Sequence, residues 1–366
     1  MRSINTSSTV SAAFAVTLFV QCTLPVLALG QDNLYRRAQP AATGVPRPED
    51  LVRLPASDWV AASSMRGPDG EPGRLFVVNV IDGSEPHTLY PSEESHDELD
   101  HARFPDCSTP PDLRVFYPHG LAVVPVKDGK AELLVVNHGG RESIEFFRVT
   151  LSNFVPRAVW IGCVLLPGHD FGNGVAPLRG GGFVVTNMYD TTDAGFLKKF
   201  AAAQPTGGVL QWTPASGWSN VVSQPLSGAN GVEITPDGNW LYVSEWAARK
   251  LWAFSLKTKT ATKSVDLHFL PDNLRWTDHG TLLLAGQNTS PEKLFGCQAR
   301  QEPCPLGFTV VEVEPRTLRV HVLVKDGGAT FGGATGALFV GQDLWIGSFR
   351  GEAIGRYLTA AGKERQ

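Results

Sequence analysis

Two histidines and a set of carboxylates and carboxamides carry the chemistry this sequence can do. His119 and His138 bracket the stretch HGLAVVPVKDGKAELLVVNH, whose centre is Lys127-Asp128-Gly129-Lys130. Asp-Gly is a strong two-residue hairpin signal. A turn centred between Asp128 and Gly129 sets Lys127 opposite Lys130 and His119 opposite His138. Directly opposed residues have Cβ atoms about 4.5–5.5 Å apart. Two imidazoles at that spacing share a hydrogen bond, so one serves as general base while the other orients it. The same construction sets Asn230 opposite Glu245 and Asn173 opposite Asn187. Glu49, Asp272 and Asn273 stand at equivalent hinges, with Asp50 beside Glu49. All of these offer oxygen. Oxygen donors without thiolates select a hard cation, and calcium takes six to eight of them, whereas magnesium wants a smaller octahedral cage with more water. A single Asn-Gly needs only a turn. Turns do not, however, require carboxylates at both Glu49 and Asp272.

The elements that must position these residues repeat. Six segments, opening at Glu49, His119, Asn173, Asn230, Asp272 and Ala334, each read as a polar hinge, a short apolar strand, a tight turn and a second apolar strand. Most are followed by a third strand, such as SIEFFRVT from Ser143 or RKLWAFSL from Arg249. Repeats of roughly 40–50 residues built only from strands predict an all-β, six-bladed β-propeller with four-stranded blades. A propeller brings its six hinges together around one central channel. Pro125, inside the first strand of its repeat, fits only an edge strand, as a channel-lining strand is. One short surface helix is expected in TTDAGFLKKFAAAQ, from Thr191. The charged, Pro- and Ser-rich stretch 84–111 is expected over one mouth of the channel.

Bulk properties set the frame. The chain has 366 residues, 42% of them apolar, and a net charge of −4 without a basic stripe, so nothing points to nucleic acid. Residues 1–30 read as a secretory signal peptide: Arg2 precedes an apolar run that polar residues and Pro25 interrupt, and ALG precedes Gln31. Retention of that run as an anchor is the alternative. Cleavage leaves a secreted or periplasmic protein without a stable membrane span. Residues 31–47 read as a flexible lead-in, and 48–366 as one propeller domain. Outside the leader, Cys107, Cys163, Cys297 and Cys304 allow three pairings. The short loop between Cys297 and Cys304 favours that pair, leaving Cys107 with Cys163. No Cys-x-x-Cys occurs, so zinc and redox chemistry have no support.

The strings YPHGLAVV, LLVVNHGG, GANGVEITPDGNWLYVSE and LPDNLRW, with PEDL from Pro48, resemble the paraoxonase/arylesterase family of six-bladed calcium lactonases. The resemblance runs in the same order from about Pro48 to Leu358. It implies a catalytic calcium held by Glu49, Asn173, Asn230, Asp272 and Asn273, with His119 and His138 as the dyad that serves the attacking water. It also implies a second, structural calcium, for which Asp50 remains but Gly174 stands where the family has an acidic residue. The family's disulfide between the chain ends has no counterpart, so strand pairing must hold them. Gln287 replaces a further histidine of mammalian members. The implied substrate is a small lactone or ester, and no protein partner is identifiable. A gluconolactonase-type sugar lactonase and a non-catalytic binding propeller are the competing functions.

Overall fold

The computed structural model describes Met1 and residues 33–81, 83, 85–151, 154–298 and 305–360. The signal peptide expected at 1–30 therefore lies outside the described residues, apart from Met1. The chain divides between Asp32 and Asn33, and the fold lies in Asn33–Gln366.

Six antiparallel sheets form the six blades. Their innermost strands are Pro48–Arg53, Pro118–Val126, Asp170–Pro177, Ala229–Ile234, Leu270–Trp276 and Ala334–Val340. Each touches the innermost strand of the blade before and after it, and the sixth touches the first, so the ring is closed. Blades one to five each take four consecutive strands. The sixth takes three from the end of the chain and its outer strand from the beginning: Tyr35–Arg37 pairs with Ala353–Thr359, and Ala42–Thr43 pairs with the same strand. The segment expected to be a flexible lead-in thus completes the last blade from Asn33 onward. Its polar, Pro-containing composition hid two short strands whose partner lies at the far end of the sequence. Strand pairing holds the ends together, as the missing terminal disulfide requires.

Apolar side chains from neighbouring blades fill the space between sheets. Phe146 of blade two packs on Phe183 of blade three, and Tyr90 of blade one on Phe147 of blade two. Burying such a side chain stabilises by about 1.5–3 kcal/mol relative to leaving it exposed.

Every innermost strand carries a β-bulge at its start. Register shifts occur between Pro48 and Asp50, Pro118 and Leu121, Gly172 and Val175, Ala229 and Val232, Pro271 and Leu274, and Ala334 and Ala337. A bulge re-aims a side chain and bends its strand. Four of the bulges end on a glycine: a Cβ at Gly120, Gly174 or Gly231 would press on the backbone oxygen of the hinge residue in the next blade, whereas one at Gly336 would have Glu49 O at 3.4 Å. These glycines let successive hinges close on one another around the channel.

Among the described residues the helices are Phe196–Ala201 and Pro291–Gln298, and Phe196 of the first meets Phe295 of the second. The first falls inside the span predicted from Thr191. The second was not anticipated, although its first-turn proline is a good helix start. Of the stretch expected over a channel mouth, His87–Tyr90 forms the outer strand of blade one. Farther on the chain runs along the outer strand of blade two, where Glu98 N and Asp100 N donate to Trp160 O and Ile161 O at 2.8 and 2.9 Å. Phe104 packs on Gly162, where any side chain would overlap its ring. Cys107 is bonded to Cys163, the pairing left by the sequence reading. Cys297 is disulfide-bonded, and its expected partner Cys304 lies outside the described residues.

Candidate active site

The six bulges deliver six side chains to one place. Glu49, His119, Asn173, Asn230, Asp272 and Thr335 all line a cavity of about 270 Å³. A second set comes from the ends of the second strands: Met65, His138, Trp246 and Phe349 follow theirs directly, Met188 lies near the end of its own, and all five line the same cavity. Five of the six blades thus supply one polar hinge and one larger side chain each, and His138 is the polar member of the second set. Leu294 and Phe295 of the second helix, with Tyr117, Phe171 and Tyr189, make the rest of the lining apolar and aromatic.

His119 and His138 come together, but not as ladder partners. The hairpin loop holds three residues, so Val126 opposes Lys130, and the bulge then sets Pro118 opposite Asn137. His119 is the bulged residue and His138 the first residue past the second strand. Their ring centroids lie 5.0 Å apart. In blades three and four the predicted register holds along the hairpin, and the bulge moves the contact by one residue. Gly172, not Asn173, opposes Asn187, and Ala229, not Asn230, opposes Glu245.

Burial and mutual repulsion dominate the electrostatics. Burial, then the charges of Asp50 and Asp272, push the Glu49 carboxyl well above its usual range. Burial also pushes Asp272 up to about 7. Burial, aided by His138, holds His119 well below the ordinary imidazole value, so it is neutral at neutral pH. Crowded carboxylates in a dry site are costly unless a cation joins them.

Several donor atoms are free to do this. Glu49 Oε2, Asn173 Oδ1 and Asn230 Oδ1 are buried without a protein partner. Asn273 Nδ2 donates to Glu49 Oε1 at 2.8 Å and fixes that carboxylate. Gln287 Nε2 donates to Asp272 Oδ2 at 2.6 Å, and Trp246 Nε1 donates to Gln287 Oε1 at 3.1 Å. Among the described residues, histidine, cysteine and acidic side chains alone form no cluster of three able to hold a metal. The amide oxygens complete the set, and unpaired oxygens from two amides and a carboxylate suit a hard, oxygen-seeking cation such as calcium.

Residues 74–281, more than half of the chain, match the family described as the SMP-30/Gluconolactonase/LRE-like region. The chain belongs to the SMP-30/gluconolactonase/LRE-like family. It is similar to the paraoxonases: 25% identical over 252 residues to serum paraoxonase/arylesterase 1 of Homo sapiens, covering 66% of this chain and 69% of that protein. It is 24% identical over 321 residues to serum paraoxonase/lactonase 3 of Rattus norvegicus, covering 84% of each. Among solved structures, a gluconolactonase from Xanthomonas campestris matches with a TM-score of 0.51 at 17% identity, over 90% of this chain and 88% of that one. A luciferin-regenerating enzyme matches with a TM-score of 0.52 at 11% identity, over 87% and 93%. At those identities the solved structures speak for the propeller fold alone.

In this SMP-30/gluconolactonase/LRE-like propeller, a second, structural calcium does not fit the residues present. Asp50 Oδ1 accepts from Leu51 N at 2.8 Å, and Asp50 Oδ2 accepts from Leu121 N at 2.8 Å. Asp50 also pairs with the buried guanidinium of Arg275. Arg275 donates further to Leu121 O at 2.7 Å, Leu51 O at 3.0 Å and Glu233 Oε1 at 3.3 Å. A fixed arginine cation therefore occupies the surroundings of Asp50. At Gly174, a Cβ would sit 2.7 Å from Asn230 O, which leaves no room for a carboxylate.

Sequence reading missed Arg275, Thr335, Glu142 and the aromatic wall. Thr335 was legible as the sixth hinge, since it follows Ala334 as Asn230 follows Ala229. The wall was legible only in part as a repeat position: Met65, His138, Trp246 and Phe349 each follow a second strand directly.

Proposed function

We propose that this protein is an exported, calcium-dependent hydrolase of hydrophobic lactones and related esters, aryl esters included. The observation that carries the reading is the set of unpaired buried oxygens, on Glu49, Asn173 and Asn230, facing a cavity that also holds His119 and His138 side by side. Glu49, Asn173, Asn230 and Asp272 would hold the ion, and Asn273 would join them once its amide turns its oxygen inward. A calcium ion there supplies a Lewis acid that polarises the ester carbonyl and stabilises the developing oxyanion. His119 takes the proton of the attacking water, and His138 holds the tautomer of His119. Asn273 and Gln287 keep Glu49 and Asp272 in place against their repulsion.

The wall supports the hydrophobic-lactone reading over the sugar-lactone one. Met65, Met188, Trp246, Phe295 and Phe349 offer apolar surface. A sugar lactone wants hydroxyl partners, so the wall favours an apolar acyl or ring substituent. The leader sequence and the Cys107–Cys163 bridge support export, because disulfides persist in oxidising compartments. The names of the paraoxonase relatives support lactone or ester chemistry.

The test is hydrolysis of a panel of alkyl lactones, sugar lactones and aryl esters in excess calcium, then in excess chelator. Turnover of alkyl lactones that chelation abolishes and calcium restores is expected. His119→Gln should lower the rate by about 10²–10⁴-fold while calcium still binds. A folded protein inactive on the whole panel would leave a binding propeller, and faster turnover of sugar lactones would favour the gluconolactonase reading.

A further inference from the structure

Glu142 stands outside the cavity lining, yet it holds one of the histidines. Its Oε2 lies 2.8 Å from His138 Nδ1. The His138 side chain is 3% exposed and that of Glu142 24%. Phe171 stacks flat on the His138 ring at 4.0 Å and 7°, and Tyr117 meets it edge-on at 5.2 Å. The ring is thus clamped in its plane, and the contact with Glu142 decides which nitrogen carries the proton. A carboxylate oxygen accepts, so the ring nitrogen facing it, Nδ1 of His138, is the donor.

That assignment propagates. With Nδ1 protonated, His138 Nε2 is a bare acceptor, and it is buried without a partner. His119 Nδ1 is likewise buried without a partner, on the adjacent ring. A proton on His119 Nδ1, shared with His138 Nε2 through one water, satisfies both atoms. His119 Nε2 is then bare, 3.6 Å from Glu49 Oε1.

The geometry points to Glu142 as a positioning residue that sets both tautomers through His138 and leaves His119 Nε2 as the base. The inference rests on the hydrolase reading given above. In the step it serves, water oxygen forms a bond to the carbonyl carbon and its proton passes to His119 Nε2. The ring C–O bond then breaks, and His119 returns that proton to the departing alkoxide, giving a hydroxy acid. Glu142 exchanges no proton.

The test uses the full chain with calcium. Glu142→Met removes the acceptor at similar length, and Glu142→Asp keeps the charge. Long-range ¹H–¹⁵N spectra of the histidine rings, assigned with His119→Gln and His138→Gln, should show Nδ1–H on both His119 and His138 in the wild type. Glu142→Met should move the His138 proton toward Nε2 and lower kcat about 10–100-fold at unchanged KM, a share of what general base catalysis contributes. Glu142→Asp should recover part of kcat. A wild-type His138 protonated on Nε2 overturns the proposal, as does an unchanged kcat in Glu142→Met. A wild type that hydrolyses nothing overturns the hydrolase reading instead, and the ring spectra still decide what Glu142 does.

Discussion

Arg275→Met probes the buried cation that ties the channel together. Methionine keeps the unbranched stem and removes every donor. Arg275 pairs with Asp50 of blade one and Glu233 of blade four, and it caps the carbonyls of Leu51 and Leu121 in blades one and two. Removing one partner of a buried ion pair costs about 3–5 kcal/mol. Two buried carbonyls left without this donor push the loss toward the upper end. Folds of this kind are held by roughly 5–15 kcal/mol, so the variant should lose a large part of its stability. The sign of the pH dependence follows. Asp50 is already raised by burial in spite of Arg275. Without Arg275 its folded-state value rises further, the native state binds more protons than the unfolded chain, and stability falls as pH rises. The loss should be greatest at pH 8 and smaller at pH 5. Urea denaturation followed by tryptophan fluorescence at both values measures it. A loss under about 1 kcal/mol at pH 8 would refute the view that Arg275 compensates these carboxylates.

Four further outcomes are expected. Calorimetric titration should find one calcium per chain, and Gly174→Asp should add no second site while costing about 1–3 kcal/mol by overpacking the bulge of blade four. Glu233 is pushed by burial from 4.5 to about 7. Its stabilisation is present below the unfolded-state value and is lost as pH rises through 7, a span worth roughly 3 kcal/mol. Glu233→Gln should flatten the decline in urea midpoint between pH 5 and 8, and parallel curves would exclude this origin. Asp272→Ala should lose calcium affinity and activity together, read by calorimetry and lactone turnover. Replacing both Cys107 and Cys163 by alanine removes a bridge spanning 56 residues and should cost about 2–4 kcal/mol with little change in KM, because the pair lies on the outer edge of blade two.

The blades were legible because each repeat states its own hairpin: an apolar strand, a turn that in blades two to four is Asp-Gly or Gly-Gly, and another apolar strand. That signal is local. The bulges are not, because they depend on how closely the next blade approaches. Their traces are glycines such as Gly120 and Gly231, which in isolation read as turn residues. The histidine pair was found although its register was misjudged, since a three-residue loop and a bulge each shifted the ladder. Arg275 sits in LPDNLRW among alternating residues and reads as a solvent-facing charge; only ring closure buries it. Glu142 reads as a loop acid until Phe171 and Tyr117 fix the ring that it meets. The lead-in was misread because strand signals in three residues are too weak without their distant partner.

The composite sixth blade fixes the order in which the molecule can be completed. Five blades are contiguous in the chain and can form as soon as each has left the ribosome. The ring cannot close until Ala353–Thr359 has been made, some 300 residues after Tyr35–Arg37. Until then the earliest strand waits unpaired, and the last strand emerges with a bare edge. An exposed edge is a template for another chain. Two copies that meet at this stage can trade first strands, each finishing the other's ring, so crowded synthesis should favour exchanged dimers whose blades match those of the monomer.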